Sequence, residues 1–316
     1  MESITRVGID AAQAWLDVHI ERPHSKVRRY GNDLDGLGQL KVDLGPGNYV
    51  IAIESSGRYE ALARHELEAA GYKVRVKNPR QMRRLAEGLG VQAKTDLIDA
   101  RMLAETAELG RANEPRSKER EALGDLSRTI ECLKKDRARH MKRMRVPGYS
   151  EVAIRTLKAV VKTIDREMAK LEKKFIELVK KGPLAERYAL ALSVQGVGPV
   201  LSRIAVSELP EKLDTWSIRQ ICSYGGVAAI DHSSGKRSSP ARVPSHGNSH
   251  LKGGLYMPAL SLTTTQKWAK DLYKRLTEKG RTHQQAIIAV MHKLLIQLVA
   301  VLKRGSPWQA EPPIRA

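Results

Sequence analysis

The chain has 316 residues, enough for two domains, or three if one is an elongated helical segment, and enough to bury a sizeable core. Fifty-five Lys and Arg against 35 Asp and Glu leave a net charge of +20, which points to a polyanionic partner, with nucleic acid the first reading; a membrane is disfavoured because no continuous run of about 18 apolar residues occurs. Aromatic residues are only 4%, with a single Phe, which argues against stacking of single-stranded bases and makes phosphate contact, with its steep salt dependence, the expected source of affinity.

The first hundred residues alternate strand and helix signals. Residues 6–10, 15–21 and 26–30 read as three successive strands joined by short polar turns. Residues 34–44 read as a helix stopped at Gly45-Pro46-Gly47, 49–53 as a short buried strand, and 59–70 as a helix stopped by Gly71. Residues 72–76 supply a fifth strand, followed by helices over 79–89 and 96–109. This strand–helix order matches an α/β ribonuclease-H-like domain over residues 1–112, a fold that carries acids on its first strand, on or after its fourth, and on a late helix.

From residue 117 the character changes to long, charged helix. Ile154, Leu157, Val161, Ile164, Met168, Leu171, Phe175 and Leu178 recur at steps of three and four, the seam of a coiled coil. Leu123, Leu126, Ile130 and Leu133 begin the same rhythm upstream, and Pro147-Gly148 interrupts it, so 117–182 predicts either a helical hairpin or an intermolecular bundle. This segment is rich in cations: Lys134, Lys135, Arg137, Arg139, Lys142, Arg143 and Arg145 make it a candidate nucleic-acid contact, although a solvated helix face has the same composition. Residues 183–304 predict a mainly α domain ending in an apolar helix over 285–302, and 305–316 a flexible tail. Cys132 and Cys222 stand far apart without metal-like spacing and are expected to be buried thiols. The first six residues have no signal-peptide core, so a cytoplasmic location is expected.

Asp10 closes the apolar run Val7-Gly8-Ile9, and Glu54 closes Val50-Ile51-Ala52-Ile53. Ending a buried strand in a carboxylate is unfavourable unless a cation or donor compensates, so two such ends suggest a metal site. Asp96 and Asp99 stand three apart at the start of a helix and share one face. Four carboxylates are the hard oxygen donors that Mg²⁺ or Mn²⁺ prefers, the set for a metal-assisted phosphodiester reaction. Acids at a helix start also suit the helix dipole with no metal at all. Asp17, Asp33, Asp35 and Glu60 read as solvated.

In the third region, Gly196-Val197-Gly198-Pro199 between two apolar stretches resembles a helix-hairpin-helix turn, where Gly196 and Gly198 would let backbone approach phosphate. Asp231-His232-Ser233-Ser234-Gly235-Lys236-Arg237 reads as a flexible polar loop in which Lys236 and Arg237 stand beside serines, a composition that surface loops also have. Asn248 precedes a helix as a candidate cap.

These blocks together resemble the IS110 family of insertion-sequence transposases, which also includes Piv-type DNA invertases. The matching residues are Val7-Gly8-Ile9-Asp10, Ile53-Glu54-Ser55-Ser56-Gly57, Lys94-Thr95-Asp96-Leu97-Ile98-Asp99-Ala100, Gly196-Val197-Gly198-Pro199, Ser234-Gly235-Lys236 and Gly247-Asn248 through Leu251-Lys252 to Leu255-Tyr256. They run in family order over nearly the whole chain. The sequence departs at Val227-Ala228-Ala229, where a proline is usual, and at Lys252, where an arginine is usual.

The resemblance implies a Holliday-junction-resolvase-like N-terminal domain with Asp10, Glu54, Asp96 and Asp99 as metal ligands and catalytic residues. It implies a C-terminal transposase domain with Ser234, the serine that directly precedes Gly235, as nucleophile. It further implies a homo-oligomer, dimer or tetramer, assembled with a structured noncoding bridge RNA whose loops pair with donor and target DNA. The expected function is therefore Mg²⁺-dependent strand cleavage and exchange of an insertion sequence. Two rivals are a junction-specific nuclease that uses the carboxylates alone and a Piv-type invertase that works without a guide.

Overall fold

The computed structural model describes residues 4–55, 57–90, 96–109, 117–234, 237–242 and 247–309, with residues 96–97 and 230–242 described by backbone only. Two compact units result, Met1–Pro115 and Arg116–Ala316.

In the first unit, strands β1 (Thr5–Ala11), β2 (Trp15–Ile20) and β3 (Arg28–Gly31) form an antiparallel meander. β4 (Tyr49–Glu54) adds parallel to β1 and β5 (Lys73–Lys77) parallel to β4, giving a five-stranded mixed sheet of order β3-β2-β1-β4-β5. Alternation decides which face each residue serves. Val7, Ile9 and Ala11 with Ile51 and Ile53 are buried against α1 (Leu34–Leu44) and α2 (Glu60–Ala69), through Leu37, Leu40, Leu44, Ala63 and Leu67. Each of the two fully buried isoleucines on β4 contributes roughly 2 kcal/mol. The helix α1 starts where Asp33 accepts from the Gly36 N–H at 2.8 Å and stops at Gly45, whose φ of +65° requires glycine.

The opposite face carries Val50 and Ala52, packed with Met82 of α3 (Pro79–Gly88) and Leu103 of α4 (Asp96–Glu105). Gly8 makes this layer possible. A Cβ there would stand 2.0 Å from the Ala100 carbonyl oxygen and 2.4 Å from the Ala104 nitrogen, so α4 rests directly on the backbone of β1.

In the second unit, α5 (Lys118–Arg143) and α6 (Glu151–Lys181) pack side by side within one chain. Leu123 clusters with Phe175 and Val179, and Arg137 meets Asp165 at 2.6 Å, so the two helices run antiparallel as a hairpin. Val161, Ile164, Phe175 and Val179 are the fully covered positions of the α6 seam, while Val146, Tyr149 and Val152 stay exposed at its tip.

The rest of this unit is α7 (Ala185–Ser193), α8 (Pro199–Glu208), a 3-10 turn (Leu213–Thr215), α9 (Ile218–Tyr224), the antiparallel strands β6 (Ile230–Ser234) and β7 (Arg237–Arg242), α10 (Ser249–Thr265), α11 (Lys267–Glu278) and α12 (His283–Arg304). Among the described residues α12 alone is long and apolar enough to cross a membrane by length and composition. Ile287, Val290, Leu294 and Leu298 on it are wholly buried in the core with Leu251, Leu255, Leu201 and Ile221, which is the position of a core helix.

Four expectations change. Asp17 is buried rather than solvated, because its place on β2 faces the covered side of the sheet and Arg29 neutralises it there. Cys132 is exposed, since it lies on the outward side of α5; only Cys222 is buried, and burial pushes that thiol up to about 11. The serine segment forms a β-hairpin rather than a plain loop, with Gly235 and Lys236 at its turn lying outside the described residues. The tail begins docked: the Trp308 N–H donates to Ser193 Oγ at 2.9 Å and its ring packs on the core, while 310–316 lie outside the described residues.

Candidate active site

The parallel register Ile9↔Ile53 puts Asp10 and Glu54 next to each other at the ends of β1 and β4. Both follow the parity of Gly8 and Ala52, so both belong to the face that α4 covers. Ala100 to Ala104 lie over Gly8, and Glu108 beyond the helix accepts from Arg6 Nε at 2.8 Å. The helix therefore runs back along β1, and its first turn, with Asp99, lies towards the Asp10 end. Asp96 shares that turn, but its side chain, like Lys94 and Thr95, lies outside the described residues.

Two cations that the sequence reading missed lie along this edge, and one of them neutralises an acid. Arg29 donates through Nε and Nη2 to both oxygens of Asp17, at 2.9 and 2.8 Å, and stacks over Trp15 at 4.6 Å. Asp17 is the direct cross-strand partner of Asp10. Lys77, the register partner of Glu54, is buried, and its Nζ donates to the carbonyls of Thr106 and Leu109 at 3.0 and 2.6 Å. Burial, then the neighbouring Arg75, hold Lys77 below the ordinary lysine range.

Carboxylates on adjacent strand ends offer the hard oxygen donors that suit Mg²⁺ in type. Among the described residues no three His, Cys, Asp or Glu side chains stand close enough together to hold a metal ion. The structure thus brings Asp10 and Glu54 side by side with Asp99 on the covering helix, without forming a closed cage from the described side chains.

In the second unit Ser234 ends β6 opposite Arg237 at the hairpin turn, with both side chains and the whole of Lys236 outside the described residues. Gly196 takes φ +84°, and a Cβ there would meet Leu262 Cδ2 at 2.6 Å, so packing alone accounts for that glycine. Gly198 faces open space at the start of α8. Along α5, Lys134, Arg137 and Arg139 pair with Glu131, Asp165 and Asp136 at 3.0, 2.6 and 3.1 Å, whereas Lys135, Lys142, Arg143 and Arg145 are exposed.

Asn248 caps α10 as expected, accepting from the Leu251 N–H at 2.9 Å. It also donates through Nδ2 to Glu208 Oε2 at 2.7 Å, which the sequence reading did not foresee. Glu208 closes the apolar helix α8, so the signal that singled out Asp10 and Glu54, an acid ending an apolar element, would have found it too.

Comparison with known proteins gives the family of the chain. Residues 7–146 match the DEDD transposase family of IS110 elements, and residues 188–274 match the transposase family of IS116/IS110/IS902. The pilin gene-inverting protein of Moraxella bovis is 26% identical over 97% of this chain and 98% of its own length. The pilin gene-inverting protein of Moraxella lacunata matches to the same extent. An uncharacterised 43.6 kDa protein of insertion element IS110 from Streptomyces coelicolor is 22% identical over 53% of this chain and 41% of its own.

Proposed function

Since the chain belongs to the IS110 family of transposases and is a site-specific DNA recombinase, we propose that it cuts and exchanges DNA strands through a carboxylate site and a serine nucleophile. The observation that carries this is the side-by-side ending of β1 and β4 in Asp10 and Glu54, on the face covered by the helix that carries Asp99. The strand order β3-β2-β1-β4-β5 supports a ribonuclease-H-like, resolvase-like first domain.

Asp10, Glu54, Asp96 and Asp99 would hold Mg²⁺ or Mn²⁺. When bound, the metal supplies charge stabilisation to the phosphoryl oxygens. Ser234 Oγ attacks phosphorus and loses its proton, the bridging P–O bond breaks, and the freed DNA hydroxyl takes a proton. The phosphoserine keeps the phosphodiester energy until a hydroxyl of the partner strand attacks phosphorus and releases the serine. Arg237 and Lys236 beside the serine suit the phosphate charge. Lys135, Lys142, Arg143 and Arg145 on the α5–α6 arm, together with Gly198 at the start of α8, are the backbone contacts we assign to nucleic acid. We divide the chain into a catalytic carboxylate domain over 1–112, a basic arm over 117–182, and a serine domain over 183–304, working as a homo-oligomer in the cytoplasm. A structured guide RNA would choose the donor and target DNA by pairing.

A second reading is favoured by the full-length likeness to pilin gene-inverting proteins: an invertase that works without a guide. Sequencing the RNA that stays bound through high-salt purification separates the two, because nonspecific ionic binding is stripped there. One discrete RNA encoded beside the gene supports guided transposition; none supports inversion. Asp10→Ala and Ser234→Ala should both abolish recombination with the fold retained, and the serine variant should also abolish a covalent protein–DNA adduct. Ser234→Ala that still cuts DNA, with no covalent adduct formed by either protein, would leave a carboxylate-only nuclease.

A further inference from the structure

The segment that carries Ser234 leaves the helical core of the second unit after Gly225-Gly226-Val227-Ala228, and the chain re-enters it at Gly247-Asn248. Its stems are tied together. The Asn248 N–H donates to the Tyr224 carbonyl at 2.6 Å, and Gly247, at φ +125°, lies so close that a Cβ would stand 2.6 Å from Gly226 Cα. Beneath both stems lies Glu208, with 0% exposure. The Tyr224 hydroxyl donates to its carbonyl at 2.8 Å, and Asn248 Nδ2 donates to its carboxylate at 2.7 Å. Arg128, from α5, donates through Nε and Nη2 to both carboxylate oxygens at 2.9 and 3.0 Å, and His250 Nδ1 stands 3.4 Å from Oε1.

The Glu208 carboxylate is thus shared by the returning stem and the arm helix, while its main-chain carbonyl holds the Tyr224 hydroxyl of the outgoing stem. Buried ion pairs contribute little net stability over an apolar core of the same shape. What this one supplies is fixed geometry at the base of the hairpin.

We propose that Glu208 is a positioning residue for Ser234, holding both stems through Tyr224 and Asn248 while Arg128 locks its carboxylate. The proposal rests on Ser234 being the nucleophile. Misplacing a reacting group by a small distance lowers rate far more than it lowers binding. The cap and the clamp use different atoms of Asn248, which allows them to be separated.

The test uses the full chain in a plasmid recombination assay with the DNA ends and RNA of its own locus, alongside melting temperature and DNA affinity. Asn248→Ser keeps a capping oxygen but is too short to reach Glu208. It should bind DNA like the wild type, melt only slightly lower for the lost hydrogen bond, and recombine roughly ten- to a hundredfold more slowly. Asn248→Asp keeps the cap and sets a second carboxylate against Glu208. Its recombination relative to wild type should recover as the pH is lowered, because the protonated acid again donates. The charged groups around that contact are Arg128 and Asp125 of α5, Tyr224 of α9 and His250 of α10. Wild-type rates in both variants, with Ser234→Ala inactive, would overturn the positioning role and leave the nucleophile standing. So would a loss that follows the melting temperature and is indifferent to pH. An active Ser234→Ala would remove the nucleophile itself, and this role with it.

Discussion

Asp10 and Asp17 face each other directly across the antiparallel ladder of β1 and β2. Two carboxylates so placed repel unless one is neutralised, and Arg29 takes both oxygens of Asp17 at 2.9 and 2.8 Å. Arg29 thereby offsets the charge of Asp17, the acid directly across from Asp10. Arg29→Met should lower stability by about 1–2 kcal/mol, less than for a fully buried pair because the guanidinium is half exposed. Urea unfolding reads this as an earlier midpoint, and millimolar Mg²⁺ should restore part of the loss by screening the two acids. An unchanged midpoint would mean that Asp17 is solvated after all.

Gly8 is the contact on which the position of Asp99 depends. Gly8→Ala drives a methyl group into the Ala100 carbonyl and the Ala104 nitrogen, so α4 must lift off β1. A loss of about 3 kcal/mol is expected, together with loss of recombination. Gly38, on the exposed side of α1 with open space at its Cβ, is the control: Gly38→Ala should gain roughly 0.5–1 kcal/mol. Thermal melts of the two variants should move in opposite directions.

The contrast between these glycines shows what was legible beforehand. Apolar patterning together with turn and glycine stops placed the strands of the first unit and the helix Leu34–Leu44, because each element buries one face and its residues repeat accordingly. Asp10 and Glu54 stood out for the same reason, as acids at the ends of apolar runs. Partners chosen by the tertiary fold did not. Asp17 is buried only once the β2–β3 pairing brings Arg29 beside it, and Glu208 draws Arg128 from 80 residues away and Asn248 from 40. Ile230–Ser234 lacks the apolar alternation of a half-buried strand, so its pairing with β7 had no pattern to announce it. Whether the heptads closed on themselves or on another chain was likewise open, and the pairing of Arg137 with Asp165 fits the intrachain hairpin.

The two cysteines give a direct check on the second unit. Cys132 is exposed on α5, whereas Cys222 lies in the core with its thiol pushed up to about 11 by burial. A thiol reagent at pH 8 should modify one cysteine rapidly in the native chain and the second only on unfolding. Mass mapping should find the label at Cys132. Rapid labelling of Cys222 would mean that α9 opens readily from α12.

Glu208 makes a prediction in pH. Burial alone would raise its carboxyl, but the His250 ring, the Arg128 guanidinium and the Asn248 amide outweigh that and hold it well below the usual carboxylate range. In the unfolded chain the same carboxyl takes up a proton near its ordinary value of 4.5. Between those two values the unfolded state binds the proton and the folded state does not, so acid favours unfolding. The contribution is therefore complete above about pH 5 and is lost progressively as pH falls towards the folded value. Glu208→Gln removes that titration and leaves Arg128 without its carboxylate, a loss of about 1–2 kcal/mol at neutral pH, less than for a fully buried pair because the guanidinium is 37% exposed. The gap in stability between wild type and variant should stay level from about pH 7 to pH 5 and narrow below it. A gap that stays constant down to about pH 3 would mean that Glu208 titrates alike in both states and that the Arg128 pair is open in solution.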